Sequence, residues 1–305
     1  MLELLAIVLP VFGLIAIGYG ARRINFVSER MGEGLSEFVF SLSLPCLIFK
    51  TLVRAEIPAV QPWGYWISYF AGVAVVWALA MLIGSRFFAL KGISAVVAGF
   101  SAGQANTVFV GVPMILKAYG DAGAVPLFLL IAVHLPVTMT LATLMAEGRQ
   151  ASPWLIIRRL LTHPIVVGIL AGSACRPLTS YLPAPFWQVV ELLGSAAVPC
   201  ALISMGIALR RYGLETGWKL PTLISALKLL VHPLIVLVLA TYVFSMPPVW
   251  SGVAVLFASC PSGINAYLFA ERYGEGVALA SSAVTLSTVL ALGTTLLWLF
   301  VLGVG

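Results

Sequence analysis

Only three asparagines occur in the 305 residues, and two of them, Asn106 and Asn265, stand inside otherwise apolar runs beside helix breakers. The first run reads GQANTVFVGVPMI at 103–115 and places Asn106 and Thr107 ahead of Gly111 and Pro113. The second reads FASCPSGINAYLFAERYG at 257–274 and places Pro261, Ser262 and Gly263 ahead of Asn265. A side-chain amide donates hydrogen bonds to a carboxylate without carrying charge. It therefore suits a site that binds a small organic anion and then releases it. The plainer use of the same amides is a hydrogen bond between helices that only holds a bundle together.

The other polar side chains inside apolar runs are few enough to weigh singly. Lys228 and His232 stand one helical turn apart on one face. A lysine in a membrane is a candidate for neutralising a bound anion or handling a proton. This one lies only about two turns from the end of its run, where the amine can instead snorkel to the surface. His134, just ahead of Pro136, fits either proton handling or a bond between helices. Ser41 and Ser43, just ahead of Pro45, add hydroxyl groups that can reach a bound ligand.

All eleven acidic residues fall at the ends of apolar runs or between them. A carrier that exchanges sodium for protons needs an acid at the membrane midplane, so that chemistry is disfavoured. There is no phosphate-binding glycine loop with its lysine, no pair of metal-ligating His and Glu, and no nucleophile triad. The chain is therefore expected not to be an enzyme and to carry neither cofactor nor metal. The four cysteines, Cys46, Cys175, Cys200 and Cys260, lie in or beside apolar runs without short pairing, and read as buried thiols.

The elements that carry these groups are membrane helices. The chain is 61% hydrophobic and 9% charged with mean hydropathy +1.07, against roughly 25% charged in a soluble domain. Apolar runs fall at about 3–21, 35–53, 63–84, 94–117, 123–145, 160–180, 187–209, 221–244, 249–270 and 276–302. Each is long enough to cross a hydrocarbon core of about 30 Å, giving ten expected spans in an all-α polytopic protein. The first lacks the basic flank and cleavage site of a signal peptide and reads as a retained span. The net charge of +6 and pI near 9.3 come from residues between spans, so they report topology rather than a nucleic-acid partner. Assigning each Lys and Arg except Lys228 to one side of the membrane or the other puts twelve on one side and four on the other. Basic loops stay in the cytoplasm, which puts both termini outside, in the periplasm of a bacterial cell.

The two halves match at one offset of 154 residues. Pro10, Gly18 and Arg22 fall onto Pro164, Gly172 and Arg176; Ser41, Pro45 and Cys46 onto Ser195, Pro199 and Cys200; Tyr119 and Gly120 onto Tyr273 and Gly274. Units of five spans, 1–150 and 151–305, enter the membrane from opposite sides and so form inverted repeats. The breakers lie in the fourth and ninth spans. Broken backbone is tolerated in lipid only where protein or a water-filled cavity surrounds it, so these spans should face each other inside the bundle. Pro113 is expected to interrupt its helix, with Gly103, Gly111 and Gly263 letting the backbone leave helical geometry or approach a neighbour. The half-helix N-termini favour an anion.

NTVFVGVPMILKAYG at 106–120, PCLIF at 45–49 and PSGINAYLFAERYG at 261–274 resemble the auxin efflux carrier family over essentially the whole chain. That family includes plant auxin carriers and bacterial carriers of malate or malonate. The resemblance implies ten spans in two inverted repeats, with crossed broken helices 4 and 9 as in sodium/proton antiporters and bile-acid transporters. It implies a carboxylate held near the crossing by Asn106 and by polar groups of the second span, Ser41 and Ser43. The plant members carry Pro-x-Gly-Ile-x-Pro where this chain reads Pro261-Ser262-Gly263-Ile264-Asn265-Ala266, and many have a far longer central loop. Both differences point to a compact bacterial type.

The reading that follows is a secondary carrier of a small organic carboxylate, a dicarboxylate such as malonate or malate, working by an elevator movement in the cell's inner membrane. Spans at about 63–145 and 221–302 would move, while those at about 3–53 and 160–209 form a static scaffold and a homodimer contact. The expected substrate contacts are Asn106, Thr107, Gly111, Asn265, Ser262, Gly263, Ser41 and Ser43, with Pro113 and Pro261 shaping the crossing and Lys228 and His134 open to a charge or proton role. The alternatives are efflux of an auxin-like aromatic carboxylate, or a membrane sensor that binds its ligand at the same place without moving it.

Overall fold

The computed structural model describes residues 2–54, 63–148, 164–212 and 217–304. Most of the connection at 147–159, with Arg149, Arg158 and Arg159, lies outside the described residues, as do the first residues of the sixth apolar run. Among the described residues all regular structure is helical, apart from one isolated antiparallel bridge between Ala105 and Ser262.

Among the described residues, seven segments are long and apolar enough to cross a membrane. They are α1 (Leu2–Arg23), α2 (Glu29–Arg54), α3 (Trp63–Phe87), the 41-residue stretch Thr107–Glu147, α8 (Ala184–Leu209), α9 (Lys219–Val243) and α12 (Val277–Val301). The 41-residue stretch comprises α5 (Val112–Tyr119) and α6 (Ala124–Glu147), and Gly120, at φ +56°, lets the chain turn between them. Shorter apolar helices complete the set: α4 (Gly92–Gly103), α7 (Pro164–Ala174) and α10 (Pro248–Ser259). The remaining helix, α11 (Ile264–Tyr273), follows α10 directly after the second break.

Two helix pairs meet through glycine. α1 packs along the second half of α8, where a Cβ on Gly18 would strike the carbonyl oxygen of Ile203 and one on Gly206 that of Ile15. The second half of α2 packs on α7 in the same manner, a Cβ on Gly172 falling 3.0 Å from the Phe49 oxygen. Gly18 and Gly172 are separated by the repeat offset of 154, and so are Phe49 and Ile203. In lipid, helices gain nothing by burying apolar surface against each other, so close backbone approach through small residues supplies the packing instead.

Proline shapes three helices in one way. Pro45, Pro113 and Pro233 each follow a five-residue π turn, at Val39–Ser43, Thr107–Gly111 and Leu227–Val231. Lacking an N–H, proline cannot bond to the carbonyl four residues back, and the wide turn takes up the ring. The carbonyl that Pro233 leaves open is that of Leu229, and the indole N–H of Trp298 donates to it at 2.7 Å. Trp298 and Trp77 are both buried.

Candidate functional site

The two broken segments cross as short non-helical stretches joined by one antiparallel bridge. After α4 the chain leaves helical geometry at Gln104 (φ −82°, ψ 123°) and stays out of it through Asn106 (φ −77°, ψ 73°). After α10 it does so from Cys260 (ψ 146°) to Gly263 (ψ 146°). The Asn106 N–H donates to the Pro261 carbonyl at 2.8 Å, and the Gly263 N–H to the Gln104 carbonyl at 3.0 Å. Each break thus supplies the partners that the other has lost, which is what a low-dielectric surrounding demands.

This geometry corrects the expected role of several breakers. Pro113 comes after the break, in helical backbone that begins at Thr107, and accompanies the wide turn at Thr107–Gly111 rather than interrupting the helix. Gly111 keeps helical angles (φ −65°, ψ −49°), and its lack of a side chain admits Cys260, whose Sγ would lie 3.1 Å from a Cβ. Gly103 lies under the Trp77 ring and is the last residue of α4. Gly263 is extended at φ −76°, open to any residue, and lets Gln104 and Ala105 approach to about 3 Å. Pro261 does lie within the second break, with its carbonyl in the crossing.

A cavity of about 380 Å³ opens at the crossing. Gln104, Asn106, Thr107, Gly263 and Asn265 line its inner part, and Glu29, Glu33 and Arg211 line its mouth. Asn106 is buried and its side-chain nitrogen rests 3.3 Å from the sulfur of Met205, a weak acceptor on α8. At the start of α11, where Gly263, Ile264 and Asn265 line the cavity, the first internal bond runs from the Ala266 N–H to the Gly263 carbonyl and no side chain caps the helix. The inner wall offers amide, hydroxyl and backbone donors and no carboxylate.

Other expected residues fall elsewhere. Ser41 is exposed, and Ser43 is fully buried, donating to the Leu193 carbonyl; neither lines the cavity. Ser262 is buried within the crossing, bridged to Ala105, but its hydroxyl donates to the Ser101 carbonyl at 2.7 Å and it does not line the cavity. His134 is fully buried: its Nε2 accepts from the Ala105 N–H at 3.2 Å and its Nδ1 lies 2.9 Å from the Tyr69 hydroxyl. With both nitrogens engaged, it ties the first break to α3. Lys228 is fully buried rather than snorkelling, and its Nζ donates to the Ala258 carbonyl.

The sequence reading passed over three residues of this site. Gln104, 1% exposed, accepts from the Thr138 hydroxyl at 2.8 Å and forms part of the cavity wall. It stood in the same motif as Asn106, and a second uncharged amide in an apolar run was the available signal. Arg211 lies 3.5 Å from Glu29 and 3.8 Å from Glu33 on α2, and 3.1 Å from Glu271 on α11. It had been counted only for topology. Met205 gave no signal at all, since an apolar side chain on a span is expected everywhere.

Long apolar helices, two of them broken around a shared polar cavity, define a polytopic membrane protein. The chain belongs to the family described as membrane transport protein, whose model matches residues 4–299. It is 31% identical to a Rhizobium meliloti protein named "Putative malonate transporter", over 96% of this chain and 94% of that one. It is 21% identical to auxin efflux carrier component 8 of Arabidopsis thaliana, over 96% of this chain and 95% of that protein. A mouse protein named lysosomal cholesterol signaling protein matches 92% of this chain at 24% identity, through 35% of its own length. The family is one of membrane transporters, and the matches run through nearly the whole of this chain.

Proposed function

We propose that this protein is a secondary carrier of a small dicarboxylate of the malonate or malate type across the cytoplasmic membrane. The observation that carries the reading is the cavity at the crossing: Asn106, Thr107, Asn265 and the uncapped start of α11 line its inner part, with the carboxylates of Glu29 and Glu33 only at its mouth. Neutral donors at a helix N-terminus bind an anion and still release it, because no full countercharge has to be separated from it. The relative named for malonate supports the dicarboxylate over an auxin-like aromatic acid.

The reading extends to architecture. α4 with α5, and α10 with α11, each complete one crossing, which gives ten spans in two inverted five-span repeats. The matched contacts of Gly18 with Ile203 and of Gly172 with Phe49 support that symmetry. The helices between about 63–145 and 221–302 move as one body against the scaffold of about 3–53 and 160–209, which also offers a homodimer face. Both termini lie outside, and the cavity opens through Arg211 toward the cytoplasm.

The test is counterflow of labelled malonate into proteoliposomes loaded with malonate, malate or indole-3-acetate. Malonate and malate should exchange, and Asn106→Ala should reduce exchange at least tenfold with melting temperature unchanged, which is about the worth of one hydrogen bond to a charged group. Wild-type exchange in that variant would remove the site. Saturable binding without flux would favour the sensor, a reading supported by the signalling relative that shares this region.

A further inference from the structure

Among the carbonyls that the second break leaves without a helical donor, that of Ala258 is met by a buried amine. In an unbroken helix the Ala258 carbonyl would accept from the N–H of Ser262, but that N–H donates to the Ser287 hydroxyl at 3.0 Å. The next N–H, of Gly263, has crossed to Gln104. Lys228 Nζ donates to the Ala258 oxygen instead, and also lies 3.3 Å from Nδ1 of His232. Lys228 comes from the π turn Leu227–Val231 of α9, a local widening that sets the side chain off the regular helical face.

The place matters because of the charge that belongs there. The C-terminal end of a half-helix carries partial negative charge from its open carbonyls. In carriers built on discontinuous helices such ends hold the coupling cation. Here the end of α10 is met by a side chain that is fully buried and does not line the cavity. The titratable groups around it are His232, Tyr69, His134 and Cys260, and no Asp or Glu is buried among the described residues.

We infer that the Lys228 ammonium is a resident cation, occupying the half-helix carbonyl position where a carrier of this design would otherwise bind a coupling metal ion, so that substrate movement needs no sodium. This rests on the carrier reading above and specifies its energetics. The ammonium also provides, through low-dielectric protein, a positive field at a crossing whose inner cavity wall has only neutral donors. A lysine acting purely as a helix cap would stabilise the fold but would not decide which cations the protein responds to.

The experiment measures malonate counterflow and melting temperature for the wild type, Lys228→Met and Lys228→Ala, each in sodium, methylammonium and choline chloride. The wild type should exchange equally in all three and show no cation-specific shift in melting temperature. Lys228→Met should lose about tenfold or more in rate in every salt, as expected for removing one charged hydrogen bond. Lys228→Ala opens a space at the carbonyl, so sodium or methylammonium, but not choline, should raise its melting temperature and restore part of its exchange. A wild type that slows in choline would overturn the inference, and so would Lys228→Met at the wild-type rate or Lys228→Ala unresponsive to both small cations. If no protein exchanged malonate in any salt, the carrier reading would fall, while the melting temperatures would still report whether Lys228 replaces a cation.

Discussion

The contacts of α1 with α8 and the crossing of the two broken segments hold helices together by opposite means. Along α1 and α8 the contact is steric: glycines let carbonyl oxygens of the facing helix come where a Cβ would otherwise sit, as at Gly18 and Gly206. At the crossing the contact is polar, with the Asn106 and Gly263 N–H groups and the Lys228 amine each answering a carbonyl left open by a break. Steric contacts of the first kind have one good geometry and resist sliding. Hydrogen bonds of the second kind can be exchanged for bonds to a ligand. A carrier needs both, a rigid frame and a site whose polar groups can change partners.

Substitutions in the steric region should therefore act on folding, and the largest effect is expected at Gly206. A methyl group there would collide with the Ile15 carbonyl, which is backbone and has no rotamer to escape into. Gly206→Ala should cost about 3 kcal/mol or more, at the upper end of overpacking penalties, and lower the yield of monodisperse protein in detergent. Gly172→Ala, with its Cβ 3.0 Å from the Phe49 oxygen, should cost less. Equal and negligible losses at the two positions would mean that these helices are not locked by backbone contact.

A smaller effect should follow from reopening a single carbonyl. Trp298→Phe keeps most of the buried ring but removes the donor to Leu229, the carbonyl that Pro233 left open. The expected cost is about 1–3 kcal/mol, read as a lowered melting temperature, because an unpaired carbonyl stays buried. Trp298→Phe combined with Pro233→Ala should recover part of it, since the restored N–H at 233 can bond to the same oxygen. No recovery would detach the tryptophan from the proline.

Much of this was legible in the sequence, and the rest fails for identifiable reasons. Composition and run length point to a multi-span helical protein, and rare asparagines beside Pro and Gly point to the two broken segments that do cross. The same residue types were less informative about where each break falls. Proline after a π turn and proline at a break look alike in one dimension, which is why Pro113 was read as the interruption when Gln104–Asn106 form it. Ser41 and Ser43 misled because a hydroxyl on a span can satisfy itself on nearby backbone, as Ser43 does at Leu193. Lys228 could be read as snorkelling because distance to the run end is visible in sequence, whereas the open carbonyl of Ala258 exists only after the second break has formed.

The smallest effect is expected where the two kinds of region meet, at Arg211. Its guanidinium spans from Glu29 and Glu33 on α2 to Glu271 on α11, so it is a link that the proposed elevator movement would have to break. All four side chains are more than 40% exposed, and pairs of this kind contribute about 0–1 kcal/mol each. Arg211→Gln should therefore leave the melting temperature nearly unchanged. It should change the malonate exchange rate by up to about fivefold, the equivalent of 1 kcal/mol. Salt gives the sharper reading, because raising ionic strength from about 0.1 M to about 1 M shortens the screening length from about 10 Å to about 3 Å. The wild-type rate should move toward that of the variant at high salt, while the variant stays nearly flat. If both respond to salt alike, Arg211 does not hold the two bodies together, and the ion pairs belong to the frame rather than to the movement.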